Sequence, residues 1–318
     1  MYRDKRIALV IPAFNESRLI GPTLTAVPEA IDRIIVVDDA STDGMGQIVR
    51  ELMTRDPRIE LLRHETNRGC GAAIVTGYQH VLRSDADIAV VCGGDNQMPL
   101  EQVANLLDPI IDDEADYVKG NRFMRRIGSL AEIPGNMPLA RVVGNMMITM
   151  LTKIASGYYK VADVVEGFTA INREGLERVD WERAWPGYGY PMDFLIRLNA
   201  HRLRVLDVPR RAIYLPGERQ SQIKGLRYAL RVSPMLLRGF FWRLWTKYIL
   251  WDFHPLVFFF FLGLTLLPLG LLFGLFLVWQ QLAGYGVSGP RAILAALLVI
   301  TGLQSLLFAM LFDMEESR

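Results

Sequence analysis

The sequence predicts an α/β fold with a mostly parallel sheet, followed by two membrane-spanning helices. Three observations support this prediction: strand-like apolar runs alternate with helical patterns, acidic turns follow two of these runs, and two long segments near the C-terminus carry no charge. Alternation of this kind is typical of a right-handed wound sheet that is covered on both faces. A chain of 318 residues has room for both parts.

Short apolar runs predict the strands, and the stretches between them carry apolar residues at helical spacing. The predicted strands are 7–11, 33–37, 59–62, 88–92, 117–119 and 204–208. The predicted helices are 19–27, 45–54, 71–82, 100–111, 142–154 and one that begins near Pro191.

Residues 256–279 and 292–312 contain no charged side chain. Each segment exceeds the roughly 20 apolar residues that cross a hydrocarbon core of about 30 Å, so the two are predicted to form a transmembrane hairpin. A pair of buried core helices is the alternative, but the length of the runs argues against it. Residues 224–247 carry Lys and Arg without an acid, which is typical of interfacial helices and predicts that both termini are cytoplasmic.

We therefore expect an α/β domain at 1–222, amphipathic juxtamembrane helices at 223–252 and the hairpin at 253–318. The net charge of +1 gives no support to a nucleic-acid partner. The four histidines show no metal-ligand spacing and are interpreted as core or surface residues. Small residues in the second span, Gly302 and Ser305, permit helix contacts, so a homo-oligomer stays open.

Acidic turns follow two of the predicted strands. Asp38, Asp39 and Asp43 come after the strand at 33–37, and Asp95 comes after the strand at 88–92. Open α/β sheets bind ligands at the carboxyl ends of their strands, so the turns together predict one site for a nucleotide diphosphate and a metal ion. The alternative for the first turn is a set of capping residues before the helix at Met45.

Five segments in combination resemble family 2 glycosyltransferases of the GT-A fold. They are 12–16 (PAFNE), 37–44 (VDDASTDG), 67–69 (NRG), 94–99 (GDNQMP) and 120–122 (GNR). With the terminal hairpin, the chain resembles the polyprenyl-phosphate hexose synthases of that family, over about residues 5 to 222. The resemblance implies a Rossmann-like nucleotide-diphospho-sugar transferase fold. It also implies inverting transfer of a hexose, mannose or glucose, from a nucleotide-diphosphate sugar to dolichyl or undecaprenyl phosphate on the cytoplasmic leaflet.

The resemblance also implies roles for individual residues. The nucleotide-sugar pocket is expected to contain Pro12, Phe14, Glu16, Val37, Asp39, Gly94 and Asp95. The expected ligands of Mg²⁺ or Mn²⁺ are Asp95 and Gln97. The expected catalytic residues are Asp95, Arg122 and Asp163, and the acceptor phosphate is expected to contact Arg122, Arg125, Arg126 and Lys224. The chain departs from the commonest family pattern at Gly93, where an acid is usual.

The chemistry of the acceptor favours a lipid phosphate. A hydroxyl acceptor needs a general base, whereas a phosphate monoester with a second pKa near 6 is already ionised at neutral pH. Asp163 and Glu166 stay candidates for orienting the acceptor or for acting as a base. Two other hypotheses remain open: transfer to a lipid or glycan hydroxyl, and a catalytically weak scaffold that binds a nucleotide sugar, which the missing acid at Gly93 motivates.

Overall fold

The computed structural model describes residues 1–123, 139–213, 225–251 and 254–316. A seven-stranded sheet has the order β3-β2-β1-β4-β6-β5-β7. The strands are β1 Ile7–Ala13, β2 Arg33–Asp38, β3 Ile59–Arg63, β4 Ile88–Val91, β5 Tyr117–Asn121, β6 Thr169–Asn172 and β7 Val205–Pro209. The helices are α1 Ile20–Thr25, α2 Met45–Met53, α3 Cys70–Leu82, α4 Val103–Ile111, α5 Leu139–Ser156, α6 Arg173–Arg178, α7 Tyr190–Ala200, α8 Gly225–Trp245, α9 Leu256–Leu282 and α10 Gly289–Glu315.

The predicted α/β class is confirmed, and burial explains its central strands. β1 and β4 are buried along their whole length, as expected for strands covered by helices on both faces. Packing between helix and sheet is close: a Cβ atom at Gly77 of α3 would lie 2.2 Å from Cγ1 of Val10 in β1. A glycine is therefore required where α3 crosses the sheet.

β6 is the strand that the sequence did not reveal. It pairs antiparallel with β4 and with β5, whereas the other strand pairs are parallel. Thr169 at its start is aligned with Val91 on one side and with Lys119 on the other. The amino end of β6 therefore lies at the same edge as the carboxyl ends of its neighbours, and this edge carries the candidate site.

α9 and α10 each have 27 residues, and an 18-residue window in each has a mean hydropathy of 2.5 and 2.3, respectively. Both helices are long and apolar enough to cross a membrane. Their backbones approach closely, since a Cβ atom at Gly302 would lie 2.5 Å from the backbone nitrogen of Leu267. Small residues at a helix interface allow this packing in lipid.

The chain divides into two compact units, Met1–Phe240 and Phe241–Arg318. The domain bounds expected from the sequence stay a prediction. In the second unit, the Arg243 guanidinium donates to both carboxylate oxygens of Asp313 at 2.7 and 2.9 Å. The Tyr248 hydroxyl donates to the same carboxylate at 2.6 Å. Arg243 is 0% and Asp313 4% exposed, so the C-terminal end of α10 is joined to the end of α8 by a buried ion pair.

We expect Asp313→Leu to destabilise the second unit by about 3 kcal/mol, because it leaves the Arg243 guanidinium buried without its anion. The free energy of unfolding of the full chain in detergent micelles measures this loss. The control is Glu315→Gln, two residues further along α10, where the side chain is exposed. The double variant Arg243→Met/Asp313→Leu should recover most of the loss, since an apolar pair removes both charges. A loss in the double variant as large as in Asp313→Leu would contradict this explanation.

Candidate active site at the carboxyl edge of the sheet

Hydrogen bonds join the loops that follow β1 and β2. Asn15 adopts a positive φ of 56°, its backbone N–H donates to Ser41 Oγ at 2.9 Å, and its side-chain oxygen accepts from Thr42 N at 2.9 Å. Asp43 accepts from the backbone N–H groups of Ser17 at 2.8 Å and Met45 at 3.1 Å. Burial raises the pKa of Asp43, but these N–H donors outweigh burial and hold it below its usual value. Asp43 therefore connects the loop after β1 to the first N–H of α2, whereas the N-cap residue is Gly44, with a positive φ of 85° and no side-chain cap.

Asp39 is 2% exposed and is held by three donors. Its Oδ1 accepts from Arg68 N at 2.8 Å and contacts His64 Nδ1 at 2.7 Å, and its Oδ2 accepts from Gly69 N at 2.7 Å. The other ring nitrogen of His64 contacts Thr76 Oγ1 at 2.9 Å. A carboxylate has about four acceptor positions, so Oδ2 keeps one for a further donor.

Asp38, the residue before Asp39, points into the protein interior. It is fully buried, and its Oδ1 accepts the backbone N–H of Ser41 at 2.8 Å. Within the described part of the chain, its Oδ2 has no hydrogen-bond partner, and the Arg63 guanidinium lies 3.7 Å from it. Asp38 therefore shapes the turn that presents Asp39.

Asp95 is the acid of the second turn. Its Oδ1 accepts the backbone N–H of Gln97 at 3.2 Å, and it forms no ion pair with any residue in the described ranges. Burial raises the pKa of Asp95, Glu166 adds to that effect, and Gln97 and Arg210 only partly oppose it. A Cβ atom at Gly93 would lie 3.0 Å from Oδ1 of Asp95. The carboxylate thus leans over Gly93 and occupies the space that a side chain there would need.

Two arginines and two carboxylates form a cluster between β5, β6 and β7, which we call the Arg/acid cluster. Arg122, directly after β5, pairs with both oxygens of Asp163 at 2.7 and 2.8 Å. Arg210, directly after β7, donates twice to Glu166 Oε2 at 3.0 and 2.8 Å. Arg122 also approaches Glu166 at 3.3 Å, which joins the two pairs.

Both acids of the Arg/acid cluster have hydrogen-bond donors on both carboxylate oxygens. Asp163 is 1% exposed. Burial pushes its pKa up, but the hydrogen bonds and charge of Arg122 outweigh burial and lower the pKa below its usual value. Glu166 is 2% exposed, and its second oxygen accepts the backbone N–H groups of Gly167 at 3.0 Å and Phe168 at 2.9 Å.

A cleft of about 160 Å³ connects the Arg/acid cluster to the Asp95 turn. Its lining includes Asp95, Gln97, Arg122, Glu166 and Arg210. Arg210 links the two sides, because its guanidinium also approaches the backbone oxygen of Gln97 at 3.3 Å. The cleft therefore presents one unpaired acid opposite two arginines whose charges are already balanced.

The other predicted residues are placed as follows. Pro12 and Val37 are buried in β1 and β2, Phe14 is 43% exposed just after β1, and Glu16 is half-buried in the following loop. Gly94 lies buried against β1, where a Cβ atom would meet Ala13 Cβ at 3.0 Å. Arg125, Arg126 and Lys224 lie outside the described residues.

Sequence reasoning missed His64 and Arg210 at this edge. Arg210 follows the predicted strand at 204–208, so its place at the carboxyl end of a strand was the available signal. His64 was interpreted as a core or surface residue, and no local pattern connects it to Asp39. A third missed residue is Tyr188, whose side chain is 53% exposed. Partial burial raises the pKa of Tyr188 most, and the charges of Glu16, Asp95 and Asp39 raise it further.

The family model for glycosyl transferase family 2 matches residues 8–180, which is more than half of the chain. The chain belongs to glycosyltransferase family 2. The match covers β1 to β6 and therefore includes Asp39, Asp95 and Arg122. The expectation of a GT-A transferase drawn from the sequence motifs is confirmed.

Curated relatives of this glycosyltransferase include enzymes that are named for lipid phosphates. One is the UDP-N-acetylglucosamine–dolichyl-phosphate N-acetylglucosaminyltransferase of Methanococcus voltae, 32% identical over 66% of this chain and 87% of the relative. Another is the polyprenol monophosphomannose synthase of Mycolicibacterium smegmatis, 29% identical over 64% of this chain and 76% of the relative.

Among solved structures, glucosyl-3-phosphoglycerate synthase from Mycobacterium tuberculosis superposes with a TM-score of 0.54 and 19% identity. The likeness covers 76% of this chain and 80% of that one. At this level of identity it shows the fold alone.

We expect Arg122→Gln to destabilise the glycosyltransferase by about 2 kcal/mol at pH 7, because it leaves the buried Asp163 without its bidentate partner. A lowered folded-state pKa contributes stability above the unfolded pKa of about 3.9, and that stability is lost as the pH falls through the folded value. The Tm difference between wild type and variant should therefore be full at pH 7 and shrink below about pH 4.

The control is Arg211→Gln, which breaks an exposed pair with Glu101 and should cost well under about 1 kcal/mol. A Tm difference for Arg122→Gln that is equally large at pH 3 would show that the ion pair is not its origin.

Proposed function

We propose that the glycosyltransferase moves a hexose from a nucleotide-diphosphate sugar to a polyprenyl phosphate at the cytoplasmic face of a membrane, with inversion at C1. The observation that carries this proposal is that both acids of the Arg/acid cluster, Asp163 and Glu166, are bound to arginines. An acid whose oxygens accept charged hydrogen bonds is a poor general base. An acceptor that is already ionised needs none.

The Arg/acid cluster suits a phosphate acceptor. Its arginines are held in place by carboxylates, so their planar forks are oriented before a phosphate arrives. In this proposal Arg122 binds the acceptor phosphate, and Asp163 orients Arg122 instead of removing a proton. Arg210, bound on the Gln97 side of the cleft, binds oxygens of the donor diphosphate. Arg125, Arg126 and Lys224 remain proposed as further contacts for the acceptor phosphate.

The Asp95 turn fits a divalent cation. Asp95 forms no ion pair with any described residue, and Asp95 and Gln97 line one cleft. Carboxylate and amide oxygens are hard ligands of the kind that Mg²⁺ and Mn²⁺ prefer. Asp95 and Gln97 would hold the ion, and the ion would supply positive charge against the departing diphosphate.

The nucleoside half of the donor is proposed to bind along β1 and β2. Asp39 keeps one acceptor position on Oδ2, which a ribose hydroxyl or a base N–H can fill. His64, Arg68 and Gly69 fix the orientation of that carboxylate. Pro12, Phe14, Glu16 and Val37 are assigned to the walls of this pocket.

The reaction then balances without a protein base. An oxygen of the acceptor phosphate forms the bond to C1 of the sugar while the bond from C1 to the diphosphate oxygen breaks. The nucleoside diphosphate leaves with the electron pair, and no proton moves. The residues act by positioning and by stabilising charge.

The acceptor is supported by two further findings. One relative is named for transfer to dolichyl phosphate, and the other is named as a synthase of polyprenol monophosphomannose. The two helices α9 and α10 are suited to hold the enzyme at a membrane, where such a lipid resides.

Transfer of a radiolabelled sugar should occur to polyprenyl phosphate and not to the matched polyprenol, which has the same chain with a hydroxyl in place of the phosphate. We expect at least a 100-fold rate difference, because Asp163 and Glu166 are bound to arginines and Asp95 is assigned to the metal ion, which leaves no base for the hydroxyl among the described residues of the cleft. The assay uses the full chain in nanodiscs with a panel of UDP- and GDP-sugars. Transfer to polyprenol or to diacylglycerol at a similar rate would reject the proposal.

Asp95→Asn should lower the rate of transfer about 100-fold, because the amide removes the anionic ligand of the metal. Isothermal titration of nucleoside diphosphate, with and without Mn²⁺, should show that wild-type affinity rises with the ion and that variant affinity does not. Glu51→Gln on the exposed face of α2 is the control. If Asp95→Asn keeps metal-dependent nucleotide binding and full turnover, the role given to Asp95 is wrong.

A further inference from the structure

Helix α5 exposes apolar side chains on one face. Within its described part, Met146, Met147, Met150 and Leu151 are 66%, 60%, 65% and 45% exposed. At 100° per residue these four side chains fall within a sector of about 140°. On the opposite side Thr152, Ala155 and Ser156 are buried, and Ile148 is half-buried. The helix thus exposes Met146, Met147, Met150 and Leu151 and buries small side chains.

A contiguous exposed apolar face on a folded domain marks an interaction surface. We call Met146, Met147, Met150 and Leu151 the α5 apolar face. Methionine is flexible and polarisable, so it suits a partner that has no fixed shape. Hydrocarbon chains of lipids are a partner of this kind.

The sequence that contains α5 is basic, which favours a lipid surface. From residue 122 to residue 156 it contains a single acid, Glu132, against five basic residues: Arg122, Arg125, Arg126, Arg141 and Lys153. An apolar face within a basic stretch of sequence matches the acyl region and the anionic headgroups of a leaflet.

The chain also carries an anchor that would keep the first unit near a bilayer. α8 leaves the first unit and continues directly into a π-helical turn, Thr246–Trp251, which is followed by the apolar helix α9. With such an anchor, the first unit works at a high effective concentration of bilayer. A weak apolar contact is sufficient under that condition.

α8 carries a second amphipathic surface, and it packs against the same helix as α5, namely α7. In the first unit, α8 exposes Leu230 and Leu237 at 67% and 60%, each followed by an exposed arginine. Both α5 and α8 pack against α7, and a Cβ atom at Gly239 of α8 would lie 2.7 Å from Ile196 of α7. Two helices with exposed apolar residues therefore rest on one buried helix.

We propose that the α5 apolar face inserts into the lipid leaflet and so holds the Arg/acid cluster at headgroup depth. α5 lies in the chain between Arg122 and Asp163, the two partners of the bidentate pair. A lipid phosphate then reaches Arg122 without leaving the membrane, whereas a water-soluble phosphate gains nothing from the insertion. This inference rests on the proposed function.

Oxidation of methionines by hydrogen peroxide tests the insertion directly, with the full wild-type chain in nanodiscs that carry one copy each and contain anionic lipid. Met146, Met147 and Met150 should oxidise at least 10-fold more slowly than Met1, whose side chain is 63% exposed. Mass spectrometry of peptides gives the rates. Equal rates at Met1 and at the three methionines would overturn the proposal, because neither a soluble partner nor a second copy is present to cover the face.

A variant separates this proposal from the proposed function. Met147→Glu/Met150→Glu should raise KM about 10-fold for a long polyprenyl phosphate in the nanodisc and leave KM and kcat for a soluble ten-carbon prenyl phosphate within twofold. The control is Gln47→Glu/Arg55→Gln, which changes the net charge equally at exposed positions of the first unit.

If neither acceptor is used by wild type, the proposed function fails while the oxidation result still decides the insertion. If the variant uses the long acceptor as well as wild type does, the insertion has no role in presenting the acceptor, and the proposal is overturned while the function stands.

Discussion

Charge balance in the Arg/acid cluster is the constraint on which the candidate active site depends. Asp163 and Glu166 are nearly inaccessible to water, and a buried carboxylate without a partner is strongly unfavourable. Arg122 and Arg210 satisfy them, so four side chains from three strand ends form one unit that is close to neutral. A phosphate that enters the cleft meets arginines that are already oriented, and it has to compete with carboxylates for them.

Asp95 lies at the same edge of the sheet, but its charge is not compensated by the Arg/acid cluster. Asp95 is mostly buried, its pKa is raised, and it forms no ion pair with any described residue. Such an arrangement is unfavourable in isolation and becomes favourable when a positive ligand arrives. In the proposed function, the contrast between Asp163, which is neutralised within the protein, and Asp95, which is not, corresponds to an acceptor side and a donor side of the cleft.

The second unit uses a buried ion pair for a structural purpose. Arg243 and Asp313 are far apart in sequence, and their contact fixes the C-terminal end of α10 to the end of α8. If α8 and α10 packed in another register, Arg243 or Asp313 would be buried without its partner, which is unfavourable in an apolar environment. The ion pair therefore selects one arrangement of α8 with α10. Close contacts at Gly263 and Gly302 then supply packing.

The sequence by itself determined the class of the fold, most of the strands, the two apolar helices and the acidic turns, because each of these depends on local periodicity or on residues next to one another. It did not reveal β6, which is only four residues long and whose direction depends on the strands at its sides. It placed Asp163 and Glu166 in a loop, and only the antiparallel direction of β6 brings that loop to the edge that carries Arg122.

Tertiary structure also decided the partners of the charged groups. Asp39 meets His64 and Asp163 meets Arg122 across long stretches of chain, and Arg210 reaches Glu166 because β7 lies next to β5. A list of acids and arginines shows which charges exist, whereas the choice between a base, a metal ligand and a balanced ion pair depends on distance and burial. Those quantities follow from the order and direction of the strands, which no local pattern contains.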